Sequence, residues 1–201
     1  DDLMSQDNDQ SSAVAQILTS NPTVMMLSSA GNNEGTYWEG NYSPVPAPTT
    51  LPALSCPANS GIPDTQVATF GTGTSQTLSV LSSYVTFPLL LAWADPPGQI
   101  TSKFDVFLFA ADGSQLDCFS TAGSTTNETT VQLQLAGGPA PGVPYTVVIA
   151  SPDASAAGKF LKLWAGGDGL TSLSVATPGG LLSPQAMVPG VLTVGAVNGS
   201  D

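Results

Sequence analysis

Apolar residues follow two different patterns along this chain. Near each end lies a short, almost continuous apolar run, Thr23-Val24-Met25-Met26-Leu27 and Val191-Leu192-Thr193-Val194-Gly195-Ala196-Val197. Such runs suit strands of a parallel sheet buried on both faces. Ahead of the first, Val14, Ile17 and Leu18 recur at helical spacing behind the capping residues Asp9 and Ser11, and Asn21-Pro22 ends that helix. Between the two runs the pattern changes to short segments bounded by Gly, Pro, Asp and Ser. Strands are expected at 66–70, 76–81, 86–93, 104–110, 115–119, 130–135, 145–150 and 160–164. Alternation is clear in Lys103-Phe104-Asp105-Val106-Phe107-Leu108-Phe109, where Phe104, Val106 and Leu108 share one face. Pro44-Val45-Pro46-Ala47-Pro48 reads as a stiff extended connector.

These patterns divide the chain into residues 1–35, 36–178 and 179–201. The middle part reads as an antiparallel β-sandwich or jelly roll. The outer parts supply a helix and two strands expected to pair in parallel, so the fold class is mainly β, with the sandwich inserted between two strands of an α/β sheet. An insertion of this kind requires the two ends of the inserted domain to lie close together.

Composition narrows the function. The 201 residues are 41% hydrophobic and 9% charged, which fits a globular domain rich in turns. Fifteen carboxylates against three lysines give a net charge of −12, so phosphate backbones and anionic lipid headgroups are repelled. Neither nucleic acid nor membrane insertion is expected, and no apolar run reaches the roughly 20 residues needed to span a bilayer. Cys56 and Cys118 allow one internal disulfide, with two buried free thiols as the alternative. Low Lys content and the triplets Asn41-Tyr42-Ser43, Asn127-Glu128-Thr129 and Asn198-Gly199-Ser200 fit an exported, extracellular protein.

Two stretches carry a family resemblance. Ser28-Ser29-Ala30-Gly31-Asn32-Asn33-Glu34-Gly35 and Ser183-Pro184-Gln185-Ala186-Met187-Val188-Pro189-Gly190-Val191-Leu192-Thr193-Val194-Gly195-Ala196-Val197 resemble consecutive parts of a subtilisin-like serine peptidase. In that family the first is a strand running into the loop of the oxyanion-hole asparagine, and the second is the next strand of the same sheet. The resemblance covers residues 1–35 and 179–201 and implies a segment of a secreted endopeptidase interrupted by an inserted domain. The middle part resembles, more loosely, the pre-peptidase C-terminal type of β-sandwich, through Asp105-Val106-Phe107-Leu108, Ala111-Asp112-Gly113 and Pro144-Tyr145-Thr146-Val147-Val148-Ile149.

The chain contains no histidine, so no Ser-His-Asp triad is complete within it and it is expected to be inactive alone. By the resemblance, the triad residues flank this segment, and its own contribution is Asn32, which follows Ala30-Gly31. The side-chain amide of Asn32 would donate to the oxygen that becomes negative when serine attacks the carbonyl, with Asn33 the second choice. Ser28, Ser29, Ala30 and Gly31 would line one wall of the substrate pocket. The implied partners are a peptide or protein substrate and the remainder of the catalytic domain.

No organic cofactor is implied, and calcium is the one metal to consider. Asp95, Asp105, Asp112 and Asp117 fall near expected loops and strand ends, but without a repeated Asp/Gly pattern they read as solvated turn residues. Trp93 and Trp164 read as core or sandwich-edge residues rather than a sugar-stacking platform. Tyr37 and Trp38 are expected to meet a peptide substrate or the inserted domain. The competing class is a non-enzymatic extracellular β-sandwich that binds carbohydrate or protein.

Overall fold

A computed structural model describes residues 9–29, 35–57, 64–80, 86–95, 100–121, 130–136, 141–152, 154–166, 171–178 and 188–195. Helix α1 (Asp9–Ser20) ends where Asn21 bonds back to Ile17, through both its backbone N–H and its side-chain amide. Val24 then closes a turn on the Asn21 carbonyl at 2.9 Å, so the chain first straightens in β1 (Met26–Ser29) rather than at Thr23. At the far end, Gly190 takes a φ of 92° and opens β13 (Val191–Val194). The two strands pair in parallel in the register Met26 to Val191 through Ser29 to Val194. Leu18 lies against the turn at Gly190, 3.5 Å from where a Cβ would stand, which brings α1 beside the entry to β13.

The remaining strands are β2 (Tyr37–Asn41), β3 (Pro44–Pro46), β4 (Gln66–Ala68), β5 (Gln76–Val80), β6 (Thr86–Trp93), β7 (Asp105–Phe109), β8 (Gln115–Ser120), β9 (Thr130–Ala136), β10 (Tyr145–Ala150), β11 (Phe160–Ala165) and β12 (Thr171–Leu173). All pair antiparallel. One sheet runs β2-β11-β6-β9. In the other, β10 is central: β7 and then β8 lie on one side, and β5 and β4 share the other, extended by β12 and β3 respectively. The chain is therefore mainly β, an antiparallel sandwich carried between two parallel strands.

Between the sheets, Trp38, Leu89, Leu91, Trp93, Leu161 and Leu163 meet Leu78, Val106, Leu108, Val147 and Ile149. Trp38 stands edge-on to Phe70, and Tyr42 edge-on to Phe104. A second apolar cluster covers the outer face of the larger sheet. Leu54 and Cys56, from the strap that follows β3, pack with Val67, Phe107, Phe109, Val148 and Ala150. The disulfide between Cys56 and Cys118, with Cα atoms 5.8 Å apart, fastens this strap to β8.

All five residues of β7 are buried, because the strap covers the face opposite Phe104, Val106 and Leu108. Three expectations are corrected. Residues 44–46 form an edge strand paired with β4, a position where proline's missing N–H is tolerated. β2 and β12 also stand where no strand is expected. The terminal strands are not buried on both faces: Met25 is 72% exposed, Leu27 61% and Leu192 53%, because among the described residues their sheet has only two strands.

Candidate functional site

Ser28 and Ser29 occupy the C-terminal end of β1, opposite Thr193 and Val194. In parallel sheets this end is where ligands and reacting groups collect. Ala30, Gly31, Asn32 and Asn33 lie outside the described residues. What is described is the strand that precedes them and its parallel neighbour β13.

The sandwich is tied at its base where the described chain resumes at Gly35. Leu173 donates its N–H to the Gly35 carbonyl at 2.8 Å, and Thr177 donates to the Tyr37 carbonyl at 2.9 Å. Glu39 returns a backbone bond to the Thr177 hydroxyl at 2.9 Å. Entry and exit of the sandwich are thus tied together, the arrangement an insertion requires. Tyr37 and Trp38 are buried where β2 pairs with β11, so of the two contacts expected for them the sandwich is the one observed.

The four aspartates considered for metal binding are not alike. Asp112 is a solvated turn residue whose carboxylate accepts from the Ser114 hydroxyl and N–H, which holds its pKa below the ordinary range. Asp117 accepts the N–H of Cys118 at 2.8 Å. Asp95 and Asp105 are buried rather than solvated, a correction that follows from long-range packing. Burial alone would raise the Asp95 pKa. The Lys159 ammonium and the N–H groups of Ser102 and Thr101, at 2.8 and 3.0 Å, outweigh it and hold the carboxyl below its ordinary value.

Asp105 is fully buried at the start of β7, and its Oδ1 accepts the Ser120 hydroxyl at 2.6 Å. Beside it is Asp64, 4% exposed, which the sequence reading did not single out. The backbone N–H of Asp64 bonds to Leu54 in the strap at 2.8 Å, but neither carboxylate oxygen has a hydrogen-bond donor. Burial first, and then the charge and the approach of Asp105, push the Asp64 carboxyl up to about 8. A hydrogen bond between the two carboxyl groups needs a proton on one of them, since an ionised pair has no donor to share.

Aromatic surface is scarce among the described residues. Trp93 is 1% exposed and Trp38 6%, and Trp164 is half-buried. The exposed large hydrophobic side chains among the described residues are all aliphatic. Among those residues no group of three or more His, Cys, Asp or Glu side chains converges on a point, and no helix is long and apolar enough to cross a membrane.

No family model matches the chain, and no curated protein matches it. Among solved structures it is similar to a family 35 carbohydrate-binding module from an environmental isolate, at 18% identity and a TM-score of 0.35, covering 73% of this chain and 97% of that one. It is also similar to an arabinose-bound α-L-arabinofuranosidase, at 18% identity and a TM-score of 0.29, covering 80% of this chain and 28% of the enzyme. Likeness at this level bears on neither ligand nor reaction.

Proposed function

We propose that this chain is the oxyanion-loop segment of a secreted subtilisin-like serine endopeptidase, with a β-sandwich inserted beside the substrate cleft. In the whole enzyme a serine attacks the peptide carbonyl and a histidine takes its proton, both supplied by the remainder of the catalytic domain. Asn32 donates its side-chain amide to the developing oxyanion. A fixed donor aimed at charge that appears only in the transition state lowers the barrier without reorganisation. Ser28, Ser29, Ala30 and Gly31 form one wall of the pocket. The sandwich, rooted at Gly35, restricts or recruits protein substrates.

The observation that carries this reading is the parallel pairing of β1 with β13 across the whole intervening sandwich. It is the pairing that consecutive strands of such a peptidase sheet would make. Two further features support it. The ends of the sandwich are bonded to each other, so it interrupts the sheet without separating its strands. Leu27, Leu192 and Val194 are half or more exposed, and a sheet that has two strands among the described residues would be covered by the further strands and helices of a catalytic domain. The disulfide supports an oxidising, extracellular setting. The buried positions of Trp38 and Trp93 weigh against carbohydrate stacking as the main role.

The reading is tested by the reading frame on either side of residues 1–201. Asp and His motifs upstream and a Gly-Thr-Ser motif downstream are expected. A frame lacking any of the three would overturn it.

A further inference from the structure

Within the sandwich, Asp64 and Asp105 are neighbours: Asp105 stands in register with Ala150 and Val67 on the face that the strap covers, and the Asp64 N–H is bonded to Leu54 of the strap at 2.8 Å. The chain itself shows how it settles a buried carboxylate. Asp95 receives the Lys159 ammonium and two backbone N–H groups. Asp64 is buried as deeply, has a second carboxylate for a neighbour, and receives no donor at either oxygen. An unpaired buried carboxylate is among the costliest groups a fold can carry. A shared proton would serve one Asp64 oxygen and leave the other bare, whereas a hard cation can be held by both at once.

We propose that Asp64 and Asp105 are the carboxylate ligands of a divalent-cation site of the calcium class, which fixes the strap to the outer face of the larger sheet. Calcium takes six to eight oxygens, and bidentate carboxylates are ordinary among them. Two carboxylates leave the rest of the shell to neutral oxygens such as carbonyls, hydroxyls and water. Their charge matches that of the ion, and the net charge of −12 favours its approach. So few charged ligands correspond to an affinity of about 10⁻⁴–10⁻³ M, the range of extracellular calcium modules. The strap would then be fastened twice, by the ion at Asp64 and by the disulfide at Cys56. The inference stands or falls independently of the peptidase reading.

The test uses the 201-residue chain, stripped with chelator and titrated with CaCl₂ at constant ionic strength. Ten millimolar calcium is expected to raise the Tm by several degrees, as binding to the native state alone requires, with a smaller effect from MgCl₂. Asp64→Asn is expected to abolish the calcium response, and Asp112→Asn, in an exposed turn, to leave it intact. No calcium-dependent shift in the wild type, or an equal shift in Asp64→Asn, would overturn the proposal. If Asp64→Asn does not fold, Asp105→Asn takes its place. Saturable Tb³⁺ emission displaced by Ca²⁺ provides a readout on the wild type, and its absence counts equally against the site.

Discussion

The backbone N–H of Leu173 reaches the carbonyl of Gly35 at 2.8 Å, so the last strand of the sandwich closes on the residue from which the first sets out. One hydrogen bond thereby joins positions separated by the whole insert, and the parallel strands β1 and β13 can pair as though nothing lay between them.

If the chain is the peptidase segment proposed above, replacing residues 45–175 by a short Gly/Ser linker in that peptidase is expected to leave the pairing of β1 with β13 intact. Hydrolysis of a short chromogenic peptide should change less than discrimination among folded protein substrates. Equal losses on both would contradict a substrate-selecting role for the sandwich.

The Cys56–Cys118 bridge spans a sequence separation of 62 residues. Closing a loop of that size stabilises the native state by about 4 kcal/mol through the entropy of the unfolded chain. The double variant Cys56→Ser/Cys118→Ser is expected to lose stability of that order in urea unfolding. A loss below about 1 kcal/mol would mean that the strap is held by its packing alone.

Lys159 neutralises Asp95, whose side chain is wholly buried. Lys159→Met leaves that charge uncompensated and is expected to cost roughly 3 kcal/mol at pH 7. The folded-state pKa of Asp95 lies below its unfolded value of 3.8, so the unfolded chain binds the proton more readily. The contribution of the pair is complete above pH ~4 and is lost as pH falls through the depressed value. Denaturation of wild type and variant at pH 7 and pH 3 should show the gap narrowing at the lower pH, and an unchanged gap would contradict the assignment.

Gly166 donates its N–H to Pro88 at 2.8 Å, and a Cβ there would press on the Pro88 ring and stand 3.2 Å from its carbonyl oxygen. Gly166→Ala is expected to destabilise the sandwich by about 1–3 kcal/mol, the usual range for overpacking. Gly73→Ala, whose Cβ would meet only carbonyl oxygens at 3.7 Å, should be close to neutral by comparison. Thermal unfolding of the two variants distinguishes them.

The strands most legible in the sequence were those whose apolar residues carry the signal themselves. β6 and β10 have the bounds the pattern predicts, and the terminal runs pair in parallel as expected, though without the double burial their composition suggests. β3 is hidden because Pro44-Val45-Pro46-Ala47-Pro48 reads as a stiff extended connector, although an edge strand accepts its prolines. β12 is three residues long and leaves no periodicity to detect. The double burial of β7 depends on a strap that begins some fifty residues earlier in the chain, a long-range contact that no local pattern encodes. Asp64 was missed for the same reason: it lies outside the strand expected at 66–70, and only long-range packing makes its carboxylate buried and costly. Of the residues proposed for the site, Ser28 and Ser29 lie on β1, and Asn32, assigned by the family resemblance, lies outside the described residues.

The most direct test is therefore at Asn32. In the proposed peptidase, Asn32→Ala assayed on a short peptide is expected to lower kcat by about 10²–10³ with little change in KM, as loss of the oxyanion donor proposed for Asn32 would require. Asn33→Ala should have a much smaller effect. Wild-type turnover in Asn32→Ala, or the large loss appearing at Asn33 instead, would contradict the role assigned to this segment.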